Sequence, residues 1–240
     1  MSLRVACDLD GTVADMDVAL QREARRLFGP DVALHAFPGD RMESAEDVEG
    51  HMTADPAART NGGPRALTAR EVRRLWEHVA TLDDFWTSLG EVEPGAVAQL
   101  ATAARTLRWE VIFLTQRPSS SAGETTQVQS QRWLQAHGFE LPSVMVMRGS
   151  RGKVATAFAL DALIDDRPEN CLDVLSDSTA KPILLWRHGR ARVPSAIAGL
   201  PIEIVSSMSE ALACLDVMTT ERGRGRTLVG RLRRAFGGMP

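Results

Sequence analysis

Two aspartates spaced two residues apart, Asp8 and Asp10, are the most informative feature of the sequence. They lie where an apolar stretch, residues 3–7, runs into a turn at Gly11. Side chains alternate along a strand, so both carboxylates can face one pocket beyond the end of the strand, and glycine permits the abrupt turn that follows. These residue types at this spacing predict a place to hold a divalent metal ion and a nucleophile.

Three later segments add polar groups of the kind that such a site needs. They are Thr115-Gln116-Arg117 after an apolar run, Lys153 near the start of a helix, and Asp165-Asp166 after a second apolar run. The spacing from Gly149 to Lys153 is too short for a phosphate-binding P-loop. Four carboxylates in one crevice would repel each other and raise some of their pKa values unless a divalent cation with oxygen ligands neutralises them. We therefore expect Asp8, Asp10, Asp165 and Asp166 to bind Mg²⁺.

Alternating apolar patterns predict the elements that must position these residues. Strands are predicted at residues 3–9, 111–115, 144–147, 162–165, 182–186 and 202–205. Helical spacing predicts helices at residues 95–107, 125–136, 153–160, 169–175 and 209–217. This order favours an α/β fold with a doubly wound, Rossmann-like parallel sheet, in which sites form at the carboxyl ends of the strands.

The interval between residues 15 and 90 interrupts this pattern directly after the first strand. It contains no convincing strand but has helical spacing at residues 18–28 and 69–82, with an acidic, Gly- and Pro-rich stretch at 37–64 that predicts a mobile loop. Residues 1–14 and 91–218 are interpreted as the core, and 15–90 as a largely helical insertion into it. Within this insertion, helical spacing favours a packing role for Trp76.

The four motifs together resemble the haloacid dehalogenase-like superfamily of aspartyl phosphotransferases, over roughly residues 3–188. The resemblance implies that Asp8 is the nucleophile that forms an aspartyl-phosphate and that Asp10 is the general acid/base. It further implies that Thr115 and Lys153 hold phosphoryl oxygens, while Asp8, the backbone carbonyl of Asp10 and the acidic pair bind Mg²⁺. The superfamily's dehalogenases lack the second aspartate, so Asp10 favours phosphoryl chemistry. An insertion after the first strand is the usual place for the superfamily's helical cap, so the resemblance implies that 15–90 is a cap that closes over the site and excludes water.

Stretches around Asp15, Phe85 and Asp166 are also similar to the 5'(3')-deoxyribonucleotidase branch of that superfamily. This similarity implies a small phosphomonoester as substrate, and a nucleotide in particular. Gln116, Arg117, Phe85 and Trp86 are the candidate substrate-binding residues. A nucleic-acid end phosphatase or a nucleic-acid-binding protein, recruited through the basic C-terminal tail, remains an alternative. A phosphomutase is a further alternative, because it would have the same motifs.

Composition sets the remaining expectations for the 240-residue chain. The net charge of −3 gives no field that would attract nucleic acid as a whole, and Cys7, Cys171 and Cys214 show no spacing for disulfides or zinc. We find no apolar run long enough for a membrane span and no leader segment, so a cytoplasmic location is expected. Residues 219–240 form an arginine-rich tail, for which a nucleic-acid partner is possible but not favoured. Nothing in the sequence indicates the oligomeric state.

Overall fold

The computed structural model describes residues 2–34 and 64–236. The strands are β1 Arg4–Asp8, β2 Ala14–Asp15, β3 Val32–Ala33, β4 Arg65–Ala66, β5 Gly90–Glu91, β6 Glu110–Thr115, β7 Ser143–Val146, β8 Ala162–Asp165, β9 Lys181–Leu185 and β10 Glu203–Val205. The helices are α1 Met16–Phe28, α2 Ala69–Ala80, α3 Ala96–Leu107, α4 Thr126–Ala136, α5 Arg151–Ala157, α6 Pro168–Asp177 and α7 Met208–Phe236.

A six-stranded sheet in the order β10-β9-β8-β1-β6-β7 forms the centre of the fold. Strand β8 pairs in parallel with both β1 and β9, and β9 pairs in parallel with β10. All six sheet strands were predicted from the sequence, each to within two residues at its ends. The predicted α/β, Rossmann-like class is therefore confirmed.

The chain divides into two compact units. The first comprises Met1–Cys7, Ala98–Ile112 and Ser150–Pro240, and the second comprises Asp8–Val97 and Phe113–Gly149. In the first unit, the paired strands β1, β8 and β9 are almost completely buried. Helix α6 contributes Cys171 to an apolar cluster with Leu184, Ile197 and Ile202. All three cysteines of the chain are free thiols.

The second unit contains the interval interpreted as a cap. Its two ends meet, because β2 and β5 pair antiparallel with Ala14 opposite Glu91 and Asp15 opposite Gly90. Helices α1 and α2 follow the prediction, and Trp76 is buried as its helical spacing indicated. The expectation of no strand in this interval was wrong, because β3 and β4 form a short parallel pair. Residues 37–63 of the predicted mobile loop lie outside the described residues.

The arginine-rich tail begins inside a helix rather than after one. Helix α7 runs from Met208 to Phe236, so residue 219 is not a structural boundary. In the first unit, the indole N–H of Trp109 donates to the Thr219 hydroxyl at 2.8 Å, and Arg222 pairs with Asp161 at 2.5 Å. The first residues of the predicted tail therefore make side-chain contacts with the rest of the first unit. Among the described residues, no helix combines the length and the apolarity that a bilayer crossing requires.

Candidate active site

The register between β1 and β8 brings two predicted metal ligands to the same level of the sheet. Cys7 pairs with Ile164, and Asp8 and Asp165 are the next residues on these parallel strands. Both aspartates are buried. Together with Asp166 they form a cluster of carboxylates that could hold a metal ion. Three of the four predicted metal-ligating aspartates are thus grouped.

Asp165 is completely buried, but polar groups of its own unit surround it. Its carboxylate accepts hydrogen bonds from the backbone N–H of Arg167 at 2.9 Å and from the Asn170 side-chain amide at 3.0 and 3.1 Å. The pKa of Asp165 is raised to about 6, chiefly by burial; Arg151 opposes the rise, and the neighbouring Asp166 adds to it. A buried carboxylate beside a half-buried one is suited to a divalent cation, because the cation would offset both the burial of Asp165 and the repulsion between the two groups.

The cation beside this acidic pair is Arg151 rather than the predicted Lys153. The Arg151 side chain is buried, and its Nε lies 3.8 Å from Asp165 Oδ2. Lys153 is exposed. The helix was predicted to begin at Lys153, but it begins two residues earlier, after the N-cap Ser150. Residues two positions apart lie about 200° apart around the axis of an α-helix, so Lys153 faces outward when Arg151 faces inward.

Tight packing between α5 and α6 fixes this orientation. A Cβ atom on Gly152 would lie 2.3 Å from the backbone oxygen of Asp173, so only glycine fits. The Asp173 carboxylate accepts hydrogen bonds from the Gly152 backbone N–H and the Ser150 hydroxyl, both at 2.9 Å. Helix α5 is thereby held in the rotation that directs Arg151 toward Asp165.

In the second unit, Asp10 is buried and held by two residues from the end of β6. Its Oδ2 accepts hydrogen bonds from the Thr115 hydroxyl and from Arg117 Nε, both at 2.8 Å. Its Oδ1 accepts a hydrogen bond from Arg117 Nη2 at 2.6 Å. The predicted catalytic pair Asp10 and Thr115 is thus brought together. The Thr115 hydroxyl donates to Asp10, whereas the sequence assigned it to a phosphoryl oxygen.

The predicted substrate-binding residues have a different environment from the one expected. Arg117 was expected to contact substrate, but it is buried and bound to Asp10 and Ser130. Phe85 and Trp86 were candidates for stacking on a substrate ring, yet both are buried and pack edge to face with centroids 4.9 Å apart. Gln116 is half-buried. The contacts that hold Arg117 and Trp86 come from distant parts of the chain, so local sequence patterns did not indicate them.

Sequence reasoning also missed Arg151 and Ser130. For Arg151 a signal existed, since Ser150 is a typical N-cap residue and would have placed the helix start at the next position. For Ser130 no local signal existed, because its partner Arg117 lies 13 residues away across a loop. Only the tertiary structure shows that the Ser130 hydroxyl is buried and accepts a hydrogen bond from Arg117.

Comparisons with known proteins identify the fold. No family model matches the chain, and no curated protein matches it by sequence. A phosphoglycolate phosphatase-like structure from Lactobacillus delbrueckii subsp. bulgaricus is 14% identical with a TM-score of 0.54, covering 90% of this chain and 99% of that one. A haloacid dehalogenase (HAD) family hydrolase from Deinococcus radiodurans, solved with bound phosphate and sodium, is 16% identical with a TM-score of 0.52, covering 90% and 96%.

A third solved structure has the same fold as these two. It is a haloacid dehalogenase-like hydrolase from Burkholderia xenovorans, 16% identical with a TM-score of 0.50, covering 88% of this chain and 95% of that one. At such low identities the likeness is one of fold. The chain therefore has the fold of haloacid dehalogenase-like hydrolases, and the arguments for its chemistry come from its own residues.

Proposed function

We propose that the chain is a Mg²⁺-dependent phosphomonoester hydrolase that works through an aspartyl-phosphate on Asp8. The observation that carries the proposal is the cluster of Asp8, Asp165 and Asp166 at the ends of the paired strands β1 and β8. Asp8 is buried at the end of β1, where its carboxylate would attack phosphorus. Covalent catalysis of this kind replaces one difficult step with two easier ones.

The donor set fits the proposed metal ion. Asp8, Asp165 and Asp166 offer the carboxylate oxygens that Mg²⁺ prefers, and the backbone carbonyl of Asp10 is a further candidate ligand. The burial that raises the pKa of Asp165 also makes a cation more favourable there than in water. When bound, Mg²⁺ would supply positive charge that offsets the repulsion between the carboxylates and an approaching phosphate dianion.

Asp10 is proposed as the residue that moves protons. It would give a proton to the leaving oxygen during attack by Asp8, and it would take one from the water that hydrolyses the phosphoenzyme. Oδ2 already accepts two hydrogen bonds, from Thr115 and Arg117. Oδ1 accepts one, from Arg117 Nη2 at 2.6 Å, and we assign the proton transfer to this oxygen.

Arg151 is proposed to fill the role that the sequence assigned to Lys153. A fixed guanidinium beside the acidic pair is able to offset negative charge that develops on a phosphoryl group in a water-poor site. Lys153 could act only by reaching around from the exposed side of α5, whereas Arg151 is already buried against Asp165. The variant Arg151→Met should thus lose far more activity than Lys153→Met.

The substrate is proposed to be a small phosphorylated metabolite, with a nucleotide as the finer proposal. A segment of some 75 residues after the first strand favours enclosure of a small molecule. Phe85 and Trp86 are buried in the described structure, so support for a nucleotide comes from the motif similarity rather than from an exposed aromatic face.

One assay tests the proposal. Phosphate release would be measured across nucleotides, sugar phosphates and 3'- or 5'-phosphorylated oligonucleotides, with Mg²⁺ or with EDTA. We expect Mg²⁺-dependent release from small esters, abolished in Asp8→Asn and retained in the exposed control Asp216→Asn. Activity that persists in EDTA or in Asp8→Asn would contradict the proposal. Release from oligonucleotides alone would assign the chain to nucleic-acid end processing.

A further inference from the structure

All three guanidinium nitrogens of Arg117 donate hydrogen bonds within the second unit. Its guanidinium grips Asp10 through two parallel hydrogen bonds, from Nε at 2.8 Å and from Nη2 at 2.6 Å. Its third nitrogen, Nη1, donates to the Ser130 hydroxyl at 2.7 Å. The side chains of both Arg117 and Asp10 are almost completely buried. Two-point arginine–carboxylate pairs fix orientation as well as charge.

Trp86 covers the face of this guanidinium. The arginine carbon Cζ lies 4.5 Å from the centroid of the indole ring, within the range of a cation–π contact. Trp86 is itself held in place, because its backbone N–H donates to the buried Gln129 side chain at 3.1 Å and Phe85 packs against its ring. A ring in this position leaves no room for a ligand on that face of Arg117.

We infer that Arg117 is a positioning residue for Asp10 and that Trp86 holds Arg117 in place, an inference that rests on the proposed function. A lone aspartate side chain rotates about two bonds, and most of its orientations would direct Oδ1 away from a leaving oxygen. The two-point grip restricts Asp10 to one plane. Trp86 lies near the end of the 15–90 interval, so the same contacts connect that interval to the proton-transferring carboxylate.

The substitution Arg117→Lys tests the inference because it keeps the charge and removes the grip. An ammonium group is a point charge and cannot reproduce the planar fork. The readout is kcat/KM, which reports the steps up to leaving-group departure, for phenyl phosphate and p-nitrophenyl phosphate. Phenolate is the poorer leaving group and needs the proton more. A displacement of a catalytic group by about 1 Å costs on the order of 10²-fold, so we expect kcat/KM to fall ~10- to 10²-fold for phenyl phosphate.

For p-nitrophenyl phosphate the expected loss is several times smaller. The competitive inhibition constant of inorganic phosphate should remain close to that of the wild type, because Arg117 does not contact substrate. Arg132→Lys is the matched control, since Arg132 lies on α4 with an exposed side chain paired to Glu124; it should leave both substrates unchanged. Ser130→Ala removes one anchor of Arg117 and should reproduce the selective loss more weakly.

The outcomes separate the inference from the proposed function. Equal losses for both esters together with a raised inhibition constant for phosphate would make Arg117 a substrate ligand and overturn the inference. An unchanged ratio in both Arg117→Lys and Ser130→Ala would also overturn it. If Arg117→Lys lacks a cooperative thermal transition, Ser130→Ala alone decides. Wild-type protein that hydrolyses neither these esters nor any small phosphomonoester of the substrate panel with Mg²⁺ would reject the proposed function and the inference together.

Discussion

Replacing Asp165 with asparagine is expected to stabilise the metal-free protein at neutral pH while it removes metal binding. Burial raises the pKa of Asp165 to about 6, from an ordinary value of 3.8. The folded state therefore binds this proton more tightly than the unfolded chain does. Above pH 6 the ionised carboxylate lowers the free energy of unfolding, and this cost disappears as the pH falls below about 4. Asparagine is neutral at every pH and avoids the cost.

The structure sets the size of this effect. The difference between about 6 and 3.8 corresponds to about 3 kcal/mol at neutral pH, at 1.36 kcal/mol per pKa unit. Part of the gain is lost, because the amide introduced by Asp165→Asn would face the Asn170 amide, which donates to both carboxylate oxygens in the wild type. A net gain of about 2 kcal/mol corresponds to roughly 4–8 °C in Tm for a chain of this size.

Thermal unfolding in EDTA at pH 7.5 and at pH 4.5 measures this gain in stability. Asp165→Asn should melt above the wild type at pH 7.5, and the difference should shrink at pH 4.5, where the cost of the wild-type carboxylate falls to about 1 kcal/mol. The exposed control Asp216→Asn should show no such pH dependence. Added Mg²⁺ should raise the Tm of the wild type at pH 7.5 but not that of Asp165→Asn. A variant less stable than the wild type by the same amount at both pH values would refute the argument.

Three further predictions follow from packing and charge. Gly152→Ala should destabilise the fold by about 1–3 kcal/mol in a denaturant titration, because its Cβ would lie 2.3 Å from the Asp173 backbone oxygen; Gly90→Ala, where nothing lies within 4 Å, should be close to neutral. A chain that ends after Met218 loses the Trp109–Thr219 and Arg222–Asp161 contacts and should melt lower than one that ends after Gly223, which keeps both. Mg²⁺ affinity, measured by calorimetry, should fall as the pH drops through about 6, because protonated Asp165 is a poor ligand. An affinity that stays the same across that range would contradict this prediction.

The six strands of the main sheet were predictable because each is a short apolar run in an alternating pattern. Their order along the chain then placed Asp8 and Asp165 at the same edge, and the β1–β8 register agrees. The short strands β2 to β5 were not predictable. Each has only two residues and forms through pairing with a distant partner, so no local pattern marks it.

The candidate site was predictable in its carboxylates and less so in its cations. Aspartates follow strands directly, and the position of a strand end fixes where they lie. The position of a cation on a helix depends on the rotation of that helix. The resemblance indicated Lys153, whereas α5 directs Arg151 toward Asp165 and leaves Lys153 exposed. Arg117 was predicted as a substrate-binding residue, but its contacts in the structure involve Ser130 and Trp86, whose positions only the tertiary fold determines.

Trapping of the proposed phosphoenzyme tests the central claim most directly. Wild-type protein would be mixed with Mg²⁺ and a substrate that it hydrolyses, quenched rapidly and reduced with borohydride, which converts an aspartyl-phosphate to homoserine detectable by peptide mass spectrometry. We predict homoserine at position 8, dependent on substrate and on Mg²⁺, and absent from Asp8→Asn. Rapid Mg²⁺-dependent turnover with no conversion at position 8, or with conversion at another aspartate, would contradict the account.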